Sequence, residues 1–137
     1  MSVLAGVIIF AMFVAPTWLA TLSRQTKVNG AAPELAATAW VEQHVTKGDV
    51  VVVDDYMWTD IEMDGRATPL SIWKVNGDPW VTHHLLPDGY KSIGYVVLMP
   101  QSSSTMASLP TLRAALMHSK AVKNFGDGLI VHKVIKN

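Results

Sequence analysis

Acidic and aromatic residues are concentrated in the stretch of this chain that follows a run of valines. Asp54 and Asp55 come directly after Val50–Val53, and Trp58 and Asp60 follow shortly afterwards. Carboxylates that leave a buried strand stand where α/β proteins place ligand and metal sites, beyond the carboxyl ends of the strands. We therefore expect a ligand-binding surface at this point of the chain.

A second acidic and aromatic pair, Asp78 and Trp80, lies in a stretch rich in proline and glycine. The indole rings of Trp58 and Trp80 can stack on sugar rings or lipid headgroups, whereas most of the other aromatic side chains should lie in the core. The predicted ligand surface therefore consists of Asp54, Asp55, Trp58, Asp60, Asp78 and Trp80.

Two known uses of a carboxylate after a strand do not fit this sequence. A phosphatase of the haloacid dehalogenase kind needs an aspartate two positions after its nucleophile, and the residue two positions after Asp54 is Tyr56. A response-regulator receiver needs a phosphoacceptor aspartate at the end of a later strand, where this chain has Pro100. Two interpretations stay open: a divalent-metal site in which Asp60, Glu62 or Asp64 folds back toward the pair, or an Asp54 or Asp55 side chain that caps the next helix.

The histidines and the absence of cysteine narrow the chemistry further. Without cysteine the chain has no disulfides, thiolate metal sites or cysteine nucleophiles. His83 and His84 are adjacent, so on a regular element they point in different directions and do not chelate one ion. His118 lies at the end of a predicted helix, where we expect a helix-terminal cation or a packed side chain. No catalytic residue and no cofactor follow from the sequence, although a divalent metal remains possible.

The apolar residues are concentrated at the start of the chain. Residues 2–22 contain no charged side chain, and as a helix they would span roughly the 30 Å hydrocarbon core of a bilayer. We predict one transmembrane helix over residues 1–23 and a short linker over residues 24–32. A signal peptide is the rival interpretation, but no basic residue precedes the apolar run. A buried helix of a soluble protein is the other alternative, and Pro16 within the run keeps it open.

The charge balance and the apolar patterning predict that residues 33–137 form one globular domain. Eleven basic residues balance eleven acidic ones, which is not the strongly basic balance of a nucleic-acid-binding domain. Continuous β-branched runs such as Val50–Val53 and residues 95–99 predict strands that are covered on both faces. We expect an α/β fold with three layers and a mostly parallel sheet, and ligands beyond the strand ends near Asp54, Asp55 and Pro100.

Four further elements complete the predicted fold. A helix over residues 34–44 should bury Leu35, Ala36, Ala39 and Trp40 on one face, and Leu109, Leu112 and Leu116 should share a face of a later helix. Residues 70–75 predict a short strand. Residues 122–125 and 129–135, joined by Gly126, Asp127 and Gly128, predict a C-terminal β-hairpin with a possible bulge.

The order of these motifs resembles a known family. The motifs are Trp40 and Val41, a turn at residues 47–49, residues 50–55 with Trp58 and Asp60, residues 73–79, residues 95–98, residues 118–122, and residues 125–128. Together they resemble the C-terminal globular region of actinobacterial multi-spanning glycosyltransferases related to the aminoarabinose and protein mannosyltransferases. The resemblance covers nearly all of the chain after Ser23.

The resemblance implies a place in lipid-linked sugar transfer but no catalytic residue. Such enzymes take a sugar from a polyprenyl-phosphate donor, and their catalytic aspartate lies in an early loop that has no counterpart in this chain. We therefore expect a non-catalytic accessory or C-terminal domain that binds an acceptor, a glycan, a polyprenyl-linked sugar or a partner subunit. The chain is either a piece of a larger enzyme or a freestanding protein of this domain type.

The location of the domain follows from the same comparison. Arg24 and Lys27 after the apolar run favour a cytoplasmic domain, but the resemblance implies a domain on the extracytoplasmic side of the cell membrane, which is our expectation. Two other functions stay open. One is a small membrane-anchored metal-dependent hydrolase that uses Asp54, Asp55 and Asp60. The other is a structural subunit that packs on other membrane proteins, for which an exposed apolar patch would be the mark.

Overall fold

Val50–Val53 form a strand inside a five-stranded sheet with helices on both faces. The computed structural model describes residues 32–99 and 108–136. In chain order the elements are α1 (Ala32–His44), β1 (Val50–Val53), α2 (Asp55–Asp64), β2 (Thr68–Ser71), the short helix α3 (Lys74–Gly77), a π-helical turn (Val81–Leu85), a 3-10 turn (Gly89–Ser92), β3 (Ile93–Leu98), α4 (Pro110–Met117), β4 (Ser119–Asn124) and β5 (Ile130–Val134). The predicted α/β class is confirmed.

Several predicted features fall outside the described residues. They are the transmembrane helix at residues 1–23, the linker up to residue 31, and Pro100. Ala32, the last residue of the predicted linker, already belongs to α1. Among residues 32–99 and 108–136, none of the helices has the length and apolar character needed to cross a bilayer.

The sheet is mixed rather than mostly parallel, which corrects the sequence prediction. Its strand order is β2-β1-β3-β5-β4. β1 pairs in parallel with β2 and β3, whereas β5 pairs in antiparallel fashion with β3 and β4. The prediction was wrong because the C-terminal hairpin adds two strands to the edge of a parallel core that contains only three strands.

The neighbours of β1 explain its composition. All four valines of β1 are buried, as expected for a strand with a partner on each side and helices above and below. β2 contains Pro69, which cannot donate to a strand ladder. Proline is tolerated there because β2 lies at the edge of the sheet.

Two separate cores confirm the three-layer arrangement. One core joins α1 and α2 to one face of the sheet through Met57, Ile61, Val51 and other buried side chains: Ala37, Val41, Val45, Val53, Ala67, Tyr95, Val97, Leu129 and Val131. The other core packs α3, the two turns and α4 on the opposite face: Val50, Val52, Leu70, Ile72, Val75, Val81, Leu86, Ile93, Val96, Leu98, Leu112, Ala115 and Val134. Alternate residues of β1 and β3 therefore point into different cores.

The buried face of α1 differs from the predicted face. Ala37, Thr38 and Val41 are buried, while Leu35 is 55% exposed and Ala36 is also exposed. Trp40, another residue of the predicted face, is half-buried and packs against the core. Packing against α2 and the sheet therefore buries the face that carries Ala37, Thr38 and Val41.

The segment after α2 also departs from the prediction. The strand ends at Ser71, and Val75 lies in the short helix α3 instead of extending the strand. Asn76 in α3 then joins two elements, since its side-chain amide donates to Thr111 Oγ1 at 2.8 Å and accepts from Thr111 N at 3.2 Å. These bonds satisfy an amide group in the first turn of α4 that has no partner within the helix.

The C-terminal hairpin and its bulge are present as predicted, with β4 beginning earlier than expected. The pairing of β4 with β5 is irregular between Ala121 and Lys123. Gly126, Asp127 and Gly128 all have positive φ, at 90°, 50° and 79°. The glycine-rich sequence is therefore required by a turn that an ordinary residue adopts only with strain.

Gly94 in β3 is constrained in a different way, by the close approach of the Asp49 side chain. A Cβ atom at position 94 would lie 3.2 Å from both Cβ and Cγ of Asp49. We expect Gly94→Ala to lower the free energy of unfolding by about 1–3 kcal/mol, the usual cost of overpacking a buried position. Urea unfolding of the 137-residue chain in a non-ionic, sugar-free detergent measures this change.

Gly77→Ala is the matched control for that experiment. No atom lies within 4 Å of the Cβ that it would add, so unfolding should change by no more than about 0.5 kcal/mol. Equal losses in the two variants would contradict the steric explanation for Gly94.

Candidate functional site

A cleft opens beside the carboxyl ends of β1 and β2. Its volume is about 390 Å³, and it is lined by Asp55, Trp58, Ser71, Trp73 and Lys74. The size lies within the range of about 300–1,000 Å³ that is usual for small-molecule sites. The cleft combines one carboxylate, one hydroxyl, one ammonium group and two indole rings, which is a set suited to a polar ligand with a flat apolar face.

Asp55 is placed by the start of α2. It is the first residue of that helix, where the positive end of the helix dipole favours a carboxylate. Its Oδ1 accepts a hydrogen bond of 2.5 Å from Ser71 Oγ at the end of β2. This bond thus joins the segment after β1 to the end of β2, and it orients the carboxylate while Asp55 stays exposed.

The two indoles of the cleft differ in how they are held. Trp58 is half-buried, and its Nε1 donates to the Pro69 carbonyl at 3.1 Å, so its ring is fixed against β2. Trp73 follows β2 and is 63% exposed. An exposed indole beside a fixed one provides a stacking surface that a ligand can cover.

Asp54 does not line the cleft. Its carboxylate has a structural role. It precedes α2 as the N-cap residue, but its side chain makes no capping hydrogen bond to the helix. Its Oδ2 instead accepts from Met99 N at 3.2 Å. Since β1 is followed by β2 on one side and paired with β3 on the other, this bond ties together the strand ends at the point where the strand order reverses.

Asp60 lies on another surface. It lines a groove between α1 and α2 together with Leu35, Glu42, Met63 and other residues: Thr38, Ala39 and Asp64. Within the part of the chain that the structure describes, no three histidine, aspartate or glutamate side chains are grouped as metal ligands. The geometry therefore gives no support to a metal site built from Asp54, Asp55 and Asp60.

Asp78 and Trp80 belong to the turn that follows α3. Asp78 Oδ1 accepts from Trp80 N at 2.9 Å and from Val81 N at 3.4 Å, so this carboxylate stabilises the start of the turn. The Trp80 ring stacks on His84 with ring centroids 4.9 Å apart and stays 58% exposed. The structure thus brings Asp55 and Trp58 into one cleft and leaves Asp54, Asp60, Asp78 and Trp80 outside its lining.

Sequence reasoning missed three residues of the cleft: Ser71, Trp73 and Lys74. A signal for them was present, because Ser71 ends the second parallel strand and Trp73 and Lys74 follow it, as Asp55 follows the first. Carboxyl ends of parallel strands meet at one edge of a sheet. The interpretation of residues 70–75 as one continuous strand concealed this position.

The histidines add no catalytic group to the cleft. His118 is the exposed C-cap residue of α4, and its ring stacks on Tyr90 with centroids 4.7 Å apart. Burial lowers the pKa of His132, which favours a neutral ring near pH 7. Ser119 Oγ lies 3.3 Å from His132 Nδ1 but donates to the Leu116 carbonyl at 2.8 Å, so this pair does not have the arrangement of a nucleophile and its base.

The chain matches no protein-family model, no curated protein and no solved structure. Its function must therefore be argued from the chemistry of its own surfaces.

The bond from Asp54 to Met99 leads to a prediction about stability. Asp54→Ala removes this acceptor from a half-buried backbone amide, and we expect the free energy of unfolding to fall by about 1–2 kcal/mol. Asp54→Asn retains a side-chain oxygen and should lose less. Urea unfolding in the same detergent measures both variants.

Asp60→Ala serves as the control because it removes an exposed aspartate of the same helix region. Its effect should stay within about 0.5 kcal/mol. If Asp54→Ala unfolds at the urea concentration of the unmodified chain, the bond between the ends of β1 and β3 contributes nothing to stability.

Proposed function

We propose that this chain is a membrane-tethered, non-catalytic domain of a lipid-linked-sugar transfer system and that it binds a glycan. The observation that carries the proposal is the cleft formed by Asp55, Trp58, Ser71, Trp73 and Lys74. The order of sequence motifs, which resembles the C-terminal region of polyprenyl-phosphate-dependent glycosyltransferases, supports the same assignment.

The cleft has the groups that a sugar ring needs. The apolar C–H face of a pyranose or furanose packs on an indole ring, and Trp73 offers a ring that is 63% exposed. The ring hydroxyls donate to a carboxylate, and Asp55 is already oriented by Ser71. Hydrogen bonds to a charged acceptor are stronger than neutral ones, so an exposed carboxylate can still contribute to binding.

The same lining supports binding rather than glycoside cleavage. Asp55 is the one carboxylate among the described residues that line the cleft. Hydrolysis of a glycosidic bond ordinarily requires two carboxyl groups that face each other across the bond. We therefore assign to the domain the task of holding an acceptor or product glycan.

The apolar segment at residues 2–22 gives this task a location. In the proposal it anchors the domain at the cell membrane, on the extracytoplasmic side, where lipid-linked sugars are consumed. A tether raises the effective concentration of a weak glycan site near its donor, because binding becomes an intramolecular event. A shallow cleft of modest affinity is sufficient under that condition.

The experiment is a titration of the 137-residue chain in phosphatidylcholine nanodiscs, which contain no sugar. The probes are linear oligosaccharides of mannose, arabinose or galactose, and binding is followed by calorimetry. We expect saturable binding of at least one probe. Trp73→Ala removes the apolar stacking face, and Asp55→Asn removes a charged acceptor whose hydrogen bonds contribute about 1.5–3 kcal/mol. Each variant should therefore weaken binding about tenfold.

Trp80→Ala is the matched control, because Trp80 has nearly the same exposure as Trp73 (58% against 63%) and does not line the cleft. It should bind the probe as the unmodified chain does. Absence of binding to every probe, or an equal loss in Trp80→Ala and Trp73→Ala, would overturn the proposed glycan cleft.

A second candidate function, packing on another membrane subunit, is favoured by the groove between α1 and α2. Leu35 and Met63 line this groove and are 55% and 81% exposed. Glu42, Asp60 and Asp64 border it. Exposed apolar side chains with a polar border are typical of a protein interaction surface.

A photoreactive amino acid at position 63 tests this second function in native membranes. Tyr56 provides the control position, because it is also 81% exposed but lies outside the groove. A discrete adduct with one membrane protein, formed from position 63 and not from position 56, is the expected result. Equal labelling from both positions would show that the groove has no specific partner.

A further inference from the structure

A second cleft lies at the opposite ends of the parallel strands from the glycan cleft. Its volume is about 490 Å³. Its lining includes residues before β1 and at the start of β3, together with the outer hairpin, and the side chains that matter are Asp49, Tyr95, Lys120, Val122, Lys133, Ile135 and Lys136. We name it the hairpin cleft. Three lysines and one aspartate make it basic, although the chain as a whole has no net charge.

A row of side chains across three strands forms the centre of the hairpin cleft. Tyr95 of β3 is the register partner of Lys133 in β5, and Lys133 is the register partner of Lys120 in β4. Lys133 Nζ lies 5.7 Å from the centroid of the Tyr95 ring, within the range of a cation–π contact. The Lys133 ammonium group therefore lies above the face of the Tyr95 ring.

The pairing of Lys120 with Lys133 is unfavourable without an anion. Like charges that stand directly opposite each other in an antiparallel pair destabilise the sheet. Lys136 adds a third positive charge to the same cleft, and no ion pair joins any of the three to an acidic side chain of the described residues. An anionic group placed between them would remove this repulsion.

Apolar side chains border the lysines. Val122 and Ile135 both line the cleft and are 40% and 45% exposed. A free inorganic anion gains nothing from apolar contacts. The glycerol and upper acyl carbons of a phospholipid, in contrast, pack favourably on apolar side chains. A surface with basic and apolar residues side by side is the composition expected at the interface of an anionic bilayer.

The edge of the sheet at this position is protected against pairing with another strand. β4 is the outer strand of the sheet, and its irregular pairing between Ala121 and Lys123 interrupts a regular edge. Lysines and bulges on an edge strand are the usual means of preventing edge-to-edge association. These features favour a lipid surface over an added strand as the occupant.

We propose that the hairpin cleft binds the phosphate group of an anionic phospholipid at the membrane surface. Lys120, Lys133 and Lys136 contact the phosphate, and Val122 and Ile135 contact the apolar part of the same lipid. The site is independent of the glycan cleft, since the two lie at opposite ends of the parallel strands and share no lining residue. It requires only that the domain is close to a bilayer.

The experiment measures how fast each lysine of the 137-residue chain is acylated, by mass spectrometry, in nanodiscs of two compositions. One contains phosphatidylcholine alone, and in the other part of it is replaced by phosphatidylglycerol. We expect acylation of Lys120, Lys133 and Lys136 to slow about fivefold in the anionic discs, the factor that corresponds to one lysine near an anionic surface. High salt should remove the effect.

Lys123 and Lys91 are the internal controls. Lys123 lies on the same strand as Lys120 but outside the lining of the cleft, with its Nζ 5.7 Å from the Phe125 ring centroid. Their acylation should not change with lipid composition. Equal slowing at Lys123 and at the three cleft lysines would overturn the proposal, because it would indicate general attraction to the surface.

Two further measurements separate the alternatives. In Lys120→Gln/Lys133→Gln, the remaining Lys136 should lose its protection, whereas Lys91→Gln/Lys123→Gln should keep it. Inorganic phosphate added to phosphatidylcholine discs should leave all rates unchanged. Protection by inorganic phosphate equal to that by phosphatidylglycerol would assign the cleft to a free anion and overturn the lipid as its occupant.

Discussion

The burial of Val50–Val53 on both faces is the constraint on which the rest of this structure depends. A strand with apolar side chains on both of its faces needs other parts of the protein packed above and below it. β2 and β3 flank it in parallel, and layers of helices must cover its two faces. The packing of α2 on one face and of α3 and α4 on the other meets this requirement.

Polar side chains hold together the ends of the strands that this apolar core aligns. Asp54 joins the end of β1 to the end of β3, and Asp55 joins the start of α2 to the end of β2. The adjacent residues Asp54 and Asp55 thus bind to strands on opposite sides of β1, because β1 has a neighbouring strand on each side. One carboxylate becomes part of the scaffold, and the other is held in position at an open cleft.

The two clefts lie at opposite ends of the same parallel strands, and they offer different kinds of interaction to a ligand. At the carboxyl ends, indole rings and a single oriented carboxylate offer stacking and directional hydrogen bonds to a neutral polar ligand. At the amino ends, Lys120 and Lys133 of the added hairpin and Lys136 just after it offer positive charge, and no ion pair among the described residues joins them to an acidic side chain. The hairpin makes the sheet mixed, and it also supplies two of the three lysines of the second cleft, Lys120 and Lys133.

The sequence by itself determined the α/β class, the buried strands and the hairpin, because each of these depends on local patterns. The valine runs, the helix around Leu112 and Leu116 and the glycine-rich turn could all be predicted without knowledge of their neighbours, although Leu109 precedes α4 as its N-cap residue and does not lie on its face. The sequence did not determine which face of α1 is buried, because Ala37, Thr38 and Val41 are buried by contact with α2 and the sheet. The packing of other elements made that choice.

The candidate site divides in the same way. The sequence identified Asp55 and Trp58 because they directly follow a recognisable strand, but it placed Asp60 and Trp80 with them only by their proximity along the chain. Only the tertiary structure brought Ser71, Trp73 and Lys74 beside Asp55, and only strand register set Lys120 opposite Lys133. Contacts between residues far apart in sequence depend on how strands pair, and no local pattern encodes that pairing.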